Sequence, residues 1–446
     1  MDPSDTSSTL SVLTGWRTKR VKPDTLNLYC CRIDYASVCM LVDILHQNDP
    51  LHKLNLSYSD IESNMMQSVI RALPSNTTLR ELRVDGIQID DNCINGLADM
   101  LLINTTLQSL SLTDNNLSPN INNIIAKLIS NIAANTTLKK LELVNCGIGL
   151  RSTQLIANLL STNQSLEVLD LEYNDINSTG VQFIADALCT NTSLQELGLS
   201  WNNIRSLGIQ FLSNALQINT SIRELRLSNC SIDTTSIRFL THALSTNISL
   251  LSLCLSHNSI RVDDMQLLMT IFNTNTNLRI LDLSKTINDI SSLQSITNVL
   301  SLNTSLQALH LSGNNLNNMS IQPIIHMLNN NHTLKKLCLH NNNHTINDVT
   351  ELLSSLSNQT LEYLDIDNKQ ISYTNISTAS LHDILKTNYT LTYFRPTTPE
   401  ISKILDRNKS LTYKSIHRNL LDFTLLFLPL IHTHPTFDPV SYTHLT

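Results

Sequence analysis

The sequence predicts an α/β solenoid, a horseshoe with parallel strands on its concave face and helices on its convex face. Three observations carry that expectation. Leucines in the spacing L-x-x-L-x-L return every 28 residues through most of the chain. Each block is followed by a stretch whose apolar residues fall at helical spacing. An asparagine stands three residues before the first residue of every block from Leu51 onward.

The blocks begin at Leu51, Leu79, Leu107, Leu138, Leu166, Leu194, Ile222, Leu250, Leu278, Leu306, Leu334 and Leu361. LEVLDLEYNDI from Leu166 and LQELGLSWNNI from Leu194 show the pattern at its cleanest. The step is 28 residues, apart from 31 before Leu138 and 27 before Leu361. Counting back from Leu51, Pro23 keeps the phase through Leu26, Leu28, Cys31 and Ile33. Counting forward, a weak unit starts at Leu391. Self-similarity at this period marks stacked repeats rather than several unrelated domains. The expected organisation is an N-terminal cap or flexible segment over 1–22, a repeat domain of 13 to 14 units over 23–411, and a C-terminal cap with an irregular tail over 412–446.

Within a unit, L-x-x-L-x-L places the leucines on one side of a short strand, because side chains alternate across it. A turn follows, then a helix such as the one read from Val181, whose Val181, Ile184, Ala185 and Leu188 make one apolar stripe. One strand and one helix cannot bury both faces alone, so successive units share a continuous core. Strands stack ~4.8 Å apart and helices need ~8–10 Å. The stack therefore bends with its sheet on the inside.

The asparagines run Asn48, Asn76, Asn104, Asn135, Asn163, Asn191 and onward to Asn358, Asn388 and Asn408. Asn tolerates the left-handed conformation that ends a helix, and that role is expected here. Most of them open N-x-S/T sequons, but Asn persists at Asn48 and Asn275, where the sequon fails. A structural role is therefore expected over glycosylation.

The pattern L-x-x-L-x-L-x-x-N/C-x-I/L resembles the leucine-rich repeat. Its 28-residue step, the N/C choice and a helix in every unit resemble the ribonuclease-inhibitor-like class, which includes the repeat regions of NOD-like receptors. The ladder position holds Asn115, Asn174, Asn202, Asn258, Asn314 and Asn342, with Cys31, Cys146 and Cys230 as the alternative. A side chain buried there must satisfy open backbone groups. Ile87, Thr286 and Lys369 depart from the pattern, so local irregularity is expected there, strongest at Ile87. ISKILDRNKSL from Ile401 reads as a final capping helix, and Pro396 and Pro399 break the strand before it.

Composition narrows the function. Net charge is -7, which argues against nucleic acid as partner. No apolar window reaches the ~18–20 residues of a membrane span, so no membrane partner is expected either. The nine cysteines contain no C-x-x-C, and the N-terminus lacks the order of a secretory signal. A reducing, cytoplasmic location is expected. No phosphate-cradling glycine pattern, metal motif or nucleophile elbow occurs. His310, His340 and His344 invite a metal reading, but solvated surface is the simpler one. No cofactor, no metal and no catalytic residue is expected, and oligomeric state is not readable.

Exposed strand positions alternate with the leucines and line the concave face. Tyr173 and Trp201 stand one period apart, hence ~5 Å apart, and His257 shares their phase. With Asp170, Glu172, Glu196, Glu224 and Arg226 they form a mixed, mainly acidic patch, the expected binding site for a protein partner. The resemblance implies a non-catalytic interaction scaffold or sensor, similar to the sensing repeats of NOD-like receptors. It also brings two alternatives: a GTPase activator of the Ran-activating type, working through Arg71, Arg80 or Arg83, and a ribonuclease-inhibitor-like enzyme inhibitor.

Overall fold

The computed structural model describes residues 6–18, 22–87, 89–115, 117, 121–287, 289–355, 360–368, 385, 388–395 and 401–411. Two compact units are present: Met1–Val299 with Asn303–Leu306, and Leu300–Leu302 with Gln307–Thr446.

The first unit carries ten strands: β1 (Thr25–Asn27), β2 (Lys53–Asn55), β3 (Glu81–Arg83), β4 (Ser109–Ser111), β5 (Lys140–Glu142), β6 (Val168–Asp170), β7 (Glu196–Gly198), β8 (Glu224–Arg226), β9 (Ser252–Cys254) and β10 (Ile280–Asp282). Neighbours in sequence pair in parallel, with equivalent repeat positions in register, as in Leu169↔Leu197↔Leu225. The second unit holds β11 (Ala308–His310), β12 (Lys336–Cys338), β13 (Tyr363–Asp365) and β14 (Tyr393–Arg395), paired in the same way.

Each strand from β1 to β12 is followed by a helix, and successive helices such as Leu150–Thr162, Ser178–Leu188 and Arg205–Leu216 pack on one another. The core lies between these layers. Leu166, Leu169 and Leu171 have no exposed surface, and Ile176 and the residues Val181, Ile184 and Leu188 of the helix Ser178–Leu188 close the same layer from the helix side. Each such leucine removed from water contributes roughly 1.5–3 kcal/mol, so stacking rather than any single unit stabilises the chain. At the N-terminal end, the helix Thr6–Thr18 packs on the next helix, Tyr35–His46, and buries Leu13 and Trp16. The Trp16 indole N–H donates to the Pro23 carbonyl at 3.0 Å. Residues 401–411 are helical, as their pattern predicts. Lys369, Asn358, Pro396, Pro399 and the tail from 412 lie outside the described residues.

The asparagines before each block do a different job from the one expected. Asn76, Asn104, Asn163, Asn247 and Asn331 end their helices in extended backbone, with φ between -69° and -86°. Each is buried, and its amide staples two repeats. Asn191 Nδ2 donates to the Leu160 carbonyl of the preceding helix at 2.8 Å, while Oδ1 accepts from Ser193 and Leu194 N–H at 3.1 and 2.8 Å. Asn needs both a donor and an acceptor for this, which explains its recurrence where the sequon fails. Among the described residues of the series only Asn48 is left-handed (φ 51°), and it is exposed.

The second ladder runs as expected. Asn174 Nδ2 donates to the Leu143 and Leu171 carbonyls at 2.8 and 3.0 Å, and its Oδ1 accepts from Cys146 and Ile148 N–H. The irregularity expected at Ile87 does not reach its backbone. Gly86 N–H keeps the inter-repeat bond to Thr113 O at 2.9 Å, and Asn115 accepts the Ile87 N–H. Thr286 is likewise accommodated, its hydroxyl donating to Leu283 O at 2.6 Å.

Candidate functional site

Just past each strand from β1 to β12 stands a left-handed residue. Counting the leading leucine as one, position eight has positive φ at Cys30, Tyr58, Gly86, Asp114, Asn145, Tyr173, Trp201, Asn229, His257, Lys285, Gly313 and Asn341. Gly, Asn and Asp suit this conformation. A larger side chain there costs roughly 1–2 kcal/mol of backbone energy. Tyr173 (φ 54°), Trp201 (φ 60°) and His257 (φ 58°) occupy it nonetheless. Their backbones are held by the sheet: Tyr173 N–H donates to Ser200 O and Trp201 N–H to Ser228 O at 3.0 and 2.7 Å.

The consequence is a shelf of rings. Tyr173 and Trp201 stack with centroids 4.9 Å apart and planes within 9°. His257, two repeats beyond Trp201, tilts against it at 5.3 Å. Burial and the nearby Lys285 hold His257 below the usual histidine range, so it is a neutral ring at neutral pH.

Three of the four carboxylates expected to form an acidic patch are gathered on one guanidinium. Arg226 on β8 reaches Asp170 Oδ2 at 2.7 Å, Glu172 Oε1 at 2.6 Å and Glu224 Oε1 at 2.9 Å. To meet Asp170 and Glu172 it crosses β7 at Gly198. A Cβ placed there would stand 2.5 Å from Arg226 Nη2 and 2.6 Å from Asp170 Oδ1. Burial raises the Asp170 carboxyl above its ordinary value, and Arg226 opposes that rise. Burial works against the Arg226 charge, but the bonds to Glu172, Asp170 and Glu224 outweigh it and push its pKa up. Glu196 lies in register between Val168 and Glu224. It makes no ion pair among the described residues.

A related arrangement occurs earlier in the same unit. Arg83 pairs with Asp85 and Glu142, both at 3.0 Å, crossing β4 over its small serines. Tyr58 lies over Gly86 and donates to Asp114, a bond that pushes the Tyr58 hydroxyl up to about 12.

The second unit holds side-chain groupings that the sequence reading missed. Tyr363 and Tyr393 stack at 4.1 Å, with Lys336 Nζ 4.8 Å above the Tyr363 ring. Ser312 Oγ lies 2.9 Å and Asp365 Oδ2 3.5 Å from the same ring nitrogen of His340, Nδ1. A hydroxyl nucleophile needs the base and the orienting carboxylate on opposite ring nitrogens, so this trio is not arranged for relay. His344, expected on the surface, is buried (3% exposed), with neither ring nitrogen hydrogen-bonded. No disulfide joins any of the nine cysteines. Among the described residues no helix is long and apolar enough to cross a membrane.

A family model described as leucine-rich repeat matches residues 104–121, 134–152, 162–185, 190–213 and 302–323. Among solved structures, an internalin (inlF) from Listeria monocytogenes strain 4b F2365 is similar over 82% of this chain and 96% of its own, at 20% identity and a TM-score of 0.44. TLR13, solved in complex with ssRNA13, is similar over 79% of this chain at 19% identity and a TM-score of 0.45; the match spans 51% of that chain. No curated protein matches in sequence.

Proposed function

Because the chain is a leucine-rich repeat protein, we propose that it is a non-catalytic scaffold or sensor that takes a protein partner on the open, concave face of its sheet. The binding site is centred on Tyr173 and Trp201, flanked by His257, with Asp170, Glu172, Glu196, Glu224 and Arg226 as its floor. One observation carries this reading: large rings occupy backbone slots that favour Gly, Asn or Asp, and they stack on one another at the surface. Strain kept at an exposed position is more readily understood as serving recognition than folding.

The regular 28-residue step and the helix in every unit support the ribonuclease-inhibitor-like class, and with it a sensing role like that of NOD-like receptor repeats. Nine cysteines outside any disulfide fit a cytoplasmic setting. The repeat domain is assigned to 23–411, with a cap over 1–22 and a cap and tail over 412–446. No observation favours the GTPase-activating alternative, and the engagement of Arg83 with Asp85 and Glu142 weighs against it as a free finger.

The test is differential capture. A protein crosslinked to the wild-type chain in native lysate, identified by mass spectrometry, should be recovered at least tenfold less by Trp201→Ala/Tyr173→Ala with unchanged circular dichroism. Equal recovery by the folded double variant rejects the site.

A further inference from the structure

Resting on that reading, we infer that the partner presents a basic, extended segment, with one Arg or Lys seated on the Tyr173–Trp201 stack. Ring faces attract cations through their quadrupole, Trp most strongly. The stack offers such faces at the surface, and Tyr173 is 49% exposed.

The charge of the surrounding face agrees. In the six repeats from Leu138 to Leu278, the third, fifth and seventh positions carry six carboxylates against two cations, Lys140 and Arg226. Arg226 already serves three of those carboxylates, and Lys140 and Arg83 pair with Glu142, so six carboxylates face three cations and Glu196 makes no ion pair among the described residues. Lys285 stands beside His257, which directs an incoming cation to the Tyr173 side of the shelf. Glu196 opens β7, and Trp201 stands five residues later, past the end of that strand. An extended partner segment lying alongside the repeat reaches both with a handful of residues. A second cation of the segment therefore meets Glu196 while the first lies on the rings, with the Arg226 cluster, three carboxylates on one guanidinium, as floor between them.

Selection of random dodecapeptides displayed on phage against the purified full chain tests this. Support requires winners enriched at least twofold in Arg and Lys over the library, binding that weakens between 50 and 500 mM salt, a loss of at least tenfold in Trp201→Ala, and a loss of about threefold or more in Glu196→Gln. Neutral or acidic winners that are still lost in Trp201→Ala overturn the basic segment and leave the site standing. Winners indifferent to Trp201→Ala/Tyr173→Ala, or no winners at all, overturn both. Concentration-dependent dimerisation abolished by Trp201→Ala would seat a second copy of this chain on the shelf and overturn the basic segment.

Discussion

Gly198 lies beneath the Arg226 guanidinium, and the absence of its Cβ is what lets Arg226 reach Asp170 across an intervening strand. Gly198→Ala should therefore act through Arg226. The methyl group displaces either the guanidinium or the Asp170 carboxylate, leaving a largely buried charge poorly paired, at a cost of about 1–3 kcal/mol. Arg226→Ala strands Asp170 outright, at about 3–5 kcal/mol. Because both changes break one interaction, the double variant should cost clearly less than their sum in urea denaturation. Additive costs would separate the two residues. The pH response gives the sign. Burial already raises Asp170 in the folded state. Above the ordinary carboxylate range the folded state then holds the extra proton, so Arg226→Ala should regain stability relative to wild type as pH falls toward that range.

Trp201→Asn separates folding from recognition. The substitution relieves roughly 1–2 kcal/mol of left-handed backbone cost and forfeits roughly 0.5–1.5 kcal/mol of stacking on Tyr173. The two nearly cancel, so thermal stability should stay within about 1 kcal/mol of wild type. Partner capture should fall at least tenfold. A drop of more than about 2 kcal/mol would mean that the ring is a packing element rather than a recognition one.

The staple asparagines should be costlier to lose than their exposed look-alike. Asn191→Ala removes the donor to Leu160 O and the acceptor for Ser193 and Leu194 N–H in a site with 2% exposure. Orphaned buried groups cost roughly 1–3 kcal/mol each when water cannot replace the partner. A loss of about 2–4 kcal/mol is expected. Asn48 is exposed, left-handed and accepts one bond, from Thr77 N–H at 2.7 Å, so Asn48→Gly, which keeps that backbone free of strain, should cost under about 1 kcal/mol. Equal losses in chemical denaturation would refute the staple.

The repeat and the aromatic shelf were legible because both depend on period alone. Leu166, Leu169 and Leu171 announce a strand by alternation, and Tyr173 and Trp201 are neighbours because 28 residues separate them. The reach of Arg226 was not legible, since it depends on side-chain torsions and on the space left by one absent Cβ. The asparagine spacing was visible but its cause was misread. The same residue suits a left-handed turn and a buried bridge, and only backbone angles separate the two. In the second unit the Tyr363–Tyr393 stack was hidden by irregular steps, which place the pair 30 residues apart. His344 left a signal that was overlooked: it stands at position eleven, where Ile148, Ile176, Ile204, Ile232 and Ile260 fill the core.

That placement makes His344 an acid-sensitive point. Burial pushes its pKa down to about 4, with Asp348 opposing the shift weakly. In the unfolded chain the ring titrates near 6.5. Between these values the unfolded state binds a proton that the folded state refuses, so stability is full above about 6.5 and is lost as pH falls toward 4. The span corresponds to about 3 kcal/mol. His344→Leu fits the apolar layer and carries no proton, so it should escape this loss while sharing every other pH effect. Amide exchange in the helix Ile346–Ser354, corrected for the intrinsic rate, should show wild type losing about 3 kcal/mol more protection than His344→Leu between pH 7.5 and 4. Parallel pH curves for the two proteins would place the proton uptake on some other group.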